Sequence, residues 1–150
     1  GGKTYSKMAD FMEECGITLL NDEYTIIDNR LVLVGRVDAS PIGGFGDIKR
    51  KPYSEVFAKI DSTLPVVVMD HTPSHTEEYG SDVDLVLSGH THKGQLYPFN
   101  YVTNAIFVVD YGHYQKDPQS PNFIVTSGVG TWGMPMRVGS NCEIVTINIS

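Results

Sequence analysis

Positive charge is scarce in this sequence. The chain holds 11 Lys and Arg against 18 Asp and Glu, a formal net charge of -7 at neutral pH, and Lys49-Arg50-Lys51 is its one basic cluster. Contacts to a nucleic-acid backbone come mainly from clustered Lys and Arg, so nucleic acid is excluded as a stoichiometric partner. Cysteine is equally sparse. Cys15 lies on the apolar side of a helical pattern and Cys142 near a terminal strand pattern, which predicts two reduced thiols rather than a disulfide. No apolar run approaches the roughly 20 residues of a membrane span, and no signal-peptide pattern opens the chain. There is no internal repeat, and 150 residues that are 41% hydrophobic fit one domain with a real core. An initiator Met is missing too. The chain opens Gly1-Gly2-Lys3 and enters a helical pattern at once, the expected form of a piece of a longer chain.

What is present is a series of short elements. Tyr5, Met8, Met12 and Cys15 recur at helical spacing over residues 5–15, Phe11 widens the stripe, and Gly16 follows as a C-cap. Residues 17–20 predict a short strand. Residues 24–27 and 31–37 predict two more, joined by a hairpin turn at Asp28-Asn29. Pro41, Gly43, Gly44 and Gly46 make 38–51 a loop, with no Lys-Ser or Lys-Thr placed to form a P-loop. Pro52 suits the first turn of a second amphipathic helix carrying Tyr53, Val56, Phe57 and Ile60. Residues 64–69 and 83–88 are apolar runs too short for helices, separated by a polar turn or short helix over 74–81. The remainder predicts a loop over 96–104, a strand over 105–111, a turn over 116–122 and a strand over 123–127. A glycine-rich loop over 128–135 with the only Trp and a last strand over 143–149 complete the chain. Strands dominate and helices cluster early, so the class is α+β.

Chemistry concentrates in residues 85–95, Leu-Val-Leu-Ser-Gly-His-Thr-His-Lys-Gly-Gln. An apolar strand ends by presenting His90 and His92. In an extended segment residues two apart face the same way, so both imidazoles are expected to address one point beyond the strand end. The run over 64–69 likewise ends in Asp70-His71-Thr72-Pro73. Two such runs read as neighbouring strands of a sheet buried on both faces, and ligand sites in α/β sheets lie at the carboxyl ends of strands. His71, His90 and His92 are therefore the expected ligands of a divalent transition metal such as zinc, manganese or iron. A bound cation would also supply the charge that a phosphate-bearing substrate needs and the side chains lack. A two-metal hydrolase requires a bridging carboxylate as well. The chain contains no Asp-x-His and no Gly-Asp followed closely by a second Asp, and Gly46-Asp47 sits in the loop away from the histidines.

Gly89-His90-Thr91-His92 after an apolar strand, preceded by a strand ending in His71-Thr72-Pro73, resembles the C-terminal half of the calcineurin-like metallophosphoesterases. The nearest branch carries Gly-His-Thr-His-Gly-Gly-Gln, and Lys93 here replaces the first Gly after its histidines. Residues 127–137, Ser-Gly-Val-Gly-Thr-Trp-Gly-Met-Pro-Met-Arg, are similar to that branch's Gly-x-Gly-Thr loop and Pro-x-Arg. The resemblance implies that His71 and His90 ligate one metal of a pair and His92 the other. It also implies that residues 1–150 are the C-terminal portion of a phosphoesterase domain, the strand-rich half of a two-sheet αββα sandwich. The Asp-x-His, Gly-Asp-x-x-Asp and Gly-Asn-His elements would then lie N-terminal to it. The implied activity is hydrolysis of a phosphate mono- or diester by a dinuclear centre, with this chain an incomplete and inactive portion holding one metal or none. The alternative is a non-catalytic metal-binding or interaction module.

Other residues divide between roles. Lys93 is a candidate contact to a substrate phosphate and His113 a candidate lining of a substrate pocket or a surface residue, while His75 reads as solvated. Asp70 is either a partner orienting an imidazole or the cap of the following turn. Trp132 and Tyr97 either wall a pocket or fill the core. The expected partners are a phosphate-ester substrate and the chain's own N-terminal half, with homo-oligomers through whatever sheet surface that half would cover.

Overall fold

A computed structural model of the chain describes residues 2–39, 49–60 and 63–149, with side chains from residue 6 onward. Most of the predicted glycine loop, residues 40–48, lies outside the described residues. Helix α1 spans Gly2–Glu14 and ends as expected, with Gly16 at φ +74° and the amides of Gly16 and Ile17 donating to the carbonyls of Glu13 and Met12. Cys15 is exposed rather than on a buried stripe, and both it and Cys142 are free thiols. The predicted strand over 17–20 does not form; these residues pass instead beneath the sheet, where Leu20 approaches Gly35 so closely that any Cβ there would meet it at 2.4 Å.

Strands β1 (Glu23–Ile27) and β2 (Leu31–Gly35) make the predicted hairpin, with Asp28 and Asn29 both left-handed. Helix α2 is Tyr53–Phe57, opening after Pro52. Strands β3 (Val66–Met69), β4 (Leu85–Ser88), β5 (Gly112–Tyr114) and β6 (Asn122–Val125) complete one six-stranded sheet in the order β1-β2-β3-β4-β6-β5. The four inner strands β2, β3, β4 and β6 are parallel, and the two edges are antiparallel to their neighbours. Their Val- and Leu-rich runs suit inner parallel strands, which carry apolar side chains on both faces.

One face is sealed. Val32, Val34, Val66, Val68, Val86, Phe123 and Val125 are buried beneath Val56 and Phe57 of α2 and the ring of Tyr79. The opposite face carries Met69, Leu87 and Ile124 in register across β3, β4 and β6, and Met69 is 41% exposed. Residues 143–149, predicted as a strand, lie across this second face without pairing among the described residues. Ile144, Val145 and Ile147 form a groove there with Leu87 and Ile124. Their alternating pattern reports contact with a sheet, not membership of one.

Two further expectations change. The predicted loop over 96–104 holds helix α3 (Asn100–Ile106), and the predicted strand over 105–111 is instead the end of that helix and an irregular link to β5. No apolar stripe marks α3 in sequence, and apart from the Tyr97–Tyr101 ring contact its named contacts are to backbone and polar groups. Gly94 abuts Asn100, and Thr103 Oγ1 donates to Asp110 Oδ2 at 2.8 Å.

Candidate metal centre

Because β2, β3, β4 and β6 run the same way, their carboxyl ends share one rim. Backbone hydrogen bonds continue past the strand ends. The amide of Arg36 donates to Met69, Asp70 to Leu87, Gly89 to His71 and Thr126 to Ser88, all at 2.9 to 3.0 Å. This stitching fixes His71 beside Gly89-His90. Ligand atoms of Asp38, His71 and His90, leaving β2, β3 and β4 respectively, all lie within 4.8 Å of one another. The two imidazoles meet edge to face, centroids 5.2 Å apart, and Thr72 Oγ1 donates to Asp38 Oδ1 at 2.6 Å. Two imidazoles and a carboxylate are a donor set suited to a divalent transition ion, so the residues present fit a metal.

Sequence alone makes Asp38 the first residue of a loop and gives no ligand role to it. The signal was nonetheless there: it follows the apolar run of β2 just as His71 and His90 follow theirs.

Beneath the rim lies a buried ionic layer. Arg50 reaches both oxygens of Asp70 at 3.1 and 2.8 Å and also Glu78 at 3.0 Å, while Tyr79 Oη donates to Asp70 Oδ2 at 2.7 Å. Burial by itself would make the Arg50 guanidinium less basic, but the Asp70 and Glu78 carboxylates outweigh it and hold the cation more firmly charged. Burial, reinforced by Asp70, pushes the Tyr79 phenol upward. Arg36 pairs with Asp22, whose oxygens also accept the amides of Val37 and Lys51. Asp70 is thus neither a partner of an imidazole nor a turn cap; held by Arg50 and Tyr79, it is the anchored residue from which His71 follows.

The segment after His90 is not extended. His90, His92, Lys93 and Gln95 all have φ between +47° and +65°, and His92–Gly94 form a 3-10 turn. Each left-handed non-glycine residue costs about 1 kcal/mol or more, so the surrounding contacts must enforce the shape. Buried Gln95 does so by accepting from the Trp132 amide at 2.6 Å and donating to the carbonyls of Trp132 and Met134. Arg137 does so by donating to the carbonyls of His92, Ser127, Gly128 and Gly130.

The turn also separates the two histidines, against the expectation that both address one point. His92 is not in the donor trio. Its Nδ1 faces Arg137 Nη2 at 3.2 Å. Arg137 Nη2 also reaches the carbonyls of Ser127, Gly128 and Gly130, so His92 Nδ1 shares this donor with three backbone oxygens. Burial first, then the Arg137 charge, lowers the His92 pKa; burial and the neighbouring His71 lower that of His90.

The remaining candidates lie elsewhere. Lys93 Nζ sits 4.0 Å above the Tyr111 ring, and His113 Nε2 is 2.9 Å from Asn122 Oδ1 in a groove with Pro65 and Val67, towards the opposite end of the parallel strands. His75 is near Glu77 at 3.4 Å. Trp132 and Tyr97 are exposed, not core, and Trp132 walls a cavity beside His90 and His92.

Comparison with known proteins decides the family. The chain is 37% identical over 147 residues to an uncharacterized metallophosphoesterase of Aquifex aeolicus, covering 93% of this chain and 53% of that protein. The chain belongs to the calcineurin-like metallophosphoesterase superfamily. Among other metallophosphoesterases, an uncharacterized one of Campylobacter jejuni is 33% identical over 129 residues, 83% of this chain and 34% of the relative. A putative metallophosphoesterase of Caenorhabditis elegans is 30% identical over 153 residues, 93% and 31%. The chain thus spans about half the length of the Aquifex metallophosphoesterase and about a third of the other two. No family model matches it, and no solved structure does so significantly.

Proposed function

We propose that the chain forms the histidine-bearing side of a phosphoesterase centre that hydrolyses a phosphate mono- or diester. The observation that carries this reading is the convergence of Asp38, His71 and His90 on one rim, in a chain whose relatives are metallophosphoesterases. These three residues would hold one divalent ion, zinc, manganese or iron. When bound, it would supply Lewis acidity toward a phosphoryl oxygen and toward water.

The chain's own residues do the rest. The Arg50–Asp70 layer fixes the height of His71, Thr72 orients the Asp38 carboxylate, and the left-handed turn aims His90 inward. Lowered basicity keeps the His90 imidazole neutral and able to donate its lone pair at neutral pH. His92 would hold a second ion, and the further carboxylate that a two-metal centre needs would come from the chain's own N-terminal half. This chain alone then binds one ion and turns over little substrate.

A protein extended to the length of the relatives tests the reading. Manganese-dependent hydrolysis of an aryl phosphate ester, lost in His71→Ala and His90→Ala, is expected. Hydrolysis indifferent to metal or to both substitutions contradicts it. Metal binding without any hydrolysis favours the second reading, a non-catalytic metal-binding module, which draws support from the engagement of His92 by Arg137.

A further inference from the structure

Beside the rim, a cavity of about 360 Å³ opens between His90 and His92 on one side and Leu96, Phe99, Trp132 and Met134 on the other. We infer that it is a subsite for the apolar part of the substrate, so that this centre acts on amphiphilic phosphoesters carrying an alkyl or acyl chain. The inference rests on the phosphoesterase reading and assigns a substrate class to it.

Three observations converge. The cavity adjoins the centre, because His90 belongs to both, so the substituent of a phosphoryl group held at the rim would have this cavity beside it. Its polar side chains are already engaged. Thr91 Oγ1 donates to Asp110 O at 2.6 Å, Thr103 Oγ1 donates to Asp110 Oδ2, and both ends of the Gln95 amide are bound to the 132–134 backbone. The donor hydrogens of these three side chains are thereby committed, so they offer no free donor to a sugar oxygen or the acceptor edge of a base, and burying such groups unpaired is costly. Finally, the apolar walls are not satisfied by the fold. Phe99 is 58% exposed, Met134 57% and Trp132 74%, a grouping of large apolar surface at a cavity mouth that marks a ligand site. The volume is at the lower end of ligand pockets, enough for a chain of several methylenes.

Trp132 is the only Trp, so its emission reports on this cavity directly. The test is titration of the 150-residue chain with methyl, butyl, hexyl and octyl phosphonate, with and without zinc. The expected result is a blue shift with affinity rising roughly threefold to fourfold per added methylene. That dependence should disappear in Phe99→Asp and, independently, in Met134→Asp. Affinity that does not change with chain length, or that survives both substitutions, overturns the subsite. Zinc stoichiometry, read by calorimetry on the same samples, separates the two claims. Chain-length dependence without zinc binding removes the metal reading, and zinc binding without chain-length dependence removes the subsite alone.

Discussion

Asp38 and Gly94 show how single residues set this site. Asp38 contributes the one carboxylate among three donors; Asp38→Asn keeps the shape and the Thr72 contact but removes the charge. Zinc affinity should fall about tenfold or more by calorimetric titration, since outer partners of metal ligands alone are worth about that much. Gly94 has φ +75°, and a Cβ there would meet the backbone of Asn100 at 2.3 Å. Gly94→Ala therefore forces the turn away from α3, and we expect a loss of about 2 kcal/mol or more in urea unfolding. His71 and His90 were legible in the sequence because an apolar run followed by His is a local pattern. Asp38 was less so, because carboxylates open many loops, and the partnership of His92 with Arg137 spans 45 residues that no local pattern connects.

At the scale of elements, the parallel strands were readable from their length and apolar continuity, whereas α3 and the segment over 143–149 were not. A helix held by Thr103, Asp110 and the close passage of Gly94 carries no amphipathic signature. The turn over 90–95 overrode the extended reading because Gln95 and Arg137 supply the contacts that hold left-handed residues in place. Its imidazoles also give the metal-free fold a pH dependence. The folded pKa values of His90 and His92 lie below the ordinary value of about 6.5. The neutral form is thus favoured in the folded state, and its contribution is full above that value. It is lost as pH falls through the folded values. Urea midpoints should decline as pH falls below about 6.5, and His90→Gln should flatten that decline; a midpoint that rises there contradicts the assignment. The ionic layer under β3 is a separate test. Asp70→Ala leaves the half-buried Arg50 with Glu78 as its remaining carboxylate partner among the described residues and should cost about 2 kcal/mol, measured by the same unfolding.

The whole molecule presents one covered sheet face and one that is covered only in part. Met69 is 41% exposed and Ile27 on the β1 edge 41%, while Ile144 of the overlying segment is 85% exposed. We propose that a partner completes this face, the N-terminal half in the longer protein and a second copy for the chain by itself. Light scattering at high concentration should show dimers or larger species, and a monodisperse monomer contradicts this. Strands β2, β3 and β4 bring ligand atoms of Asp38, His71 and His90 together, and we propose that these hold one ion. X-ray absorption on the zinc-loaded chain tests it. One equivalent of zinc is expected in a shell of two imidazoles and oxygen donors, lost together in His71→Ala and His90→Ala. Zinc held by sulfur, or binding unchanged in both variants, would contradict it.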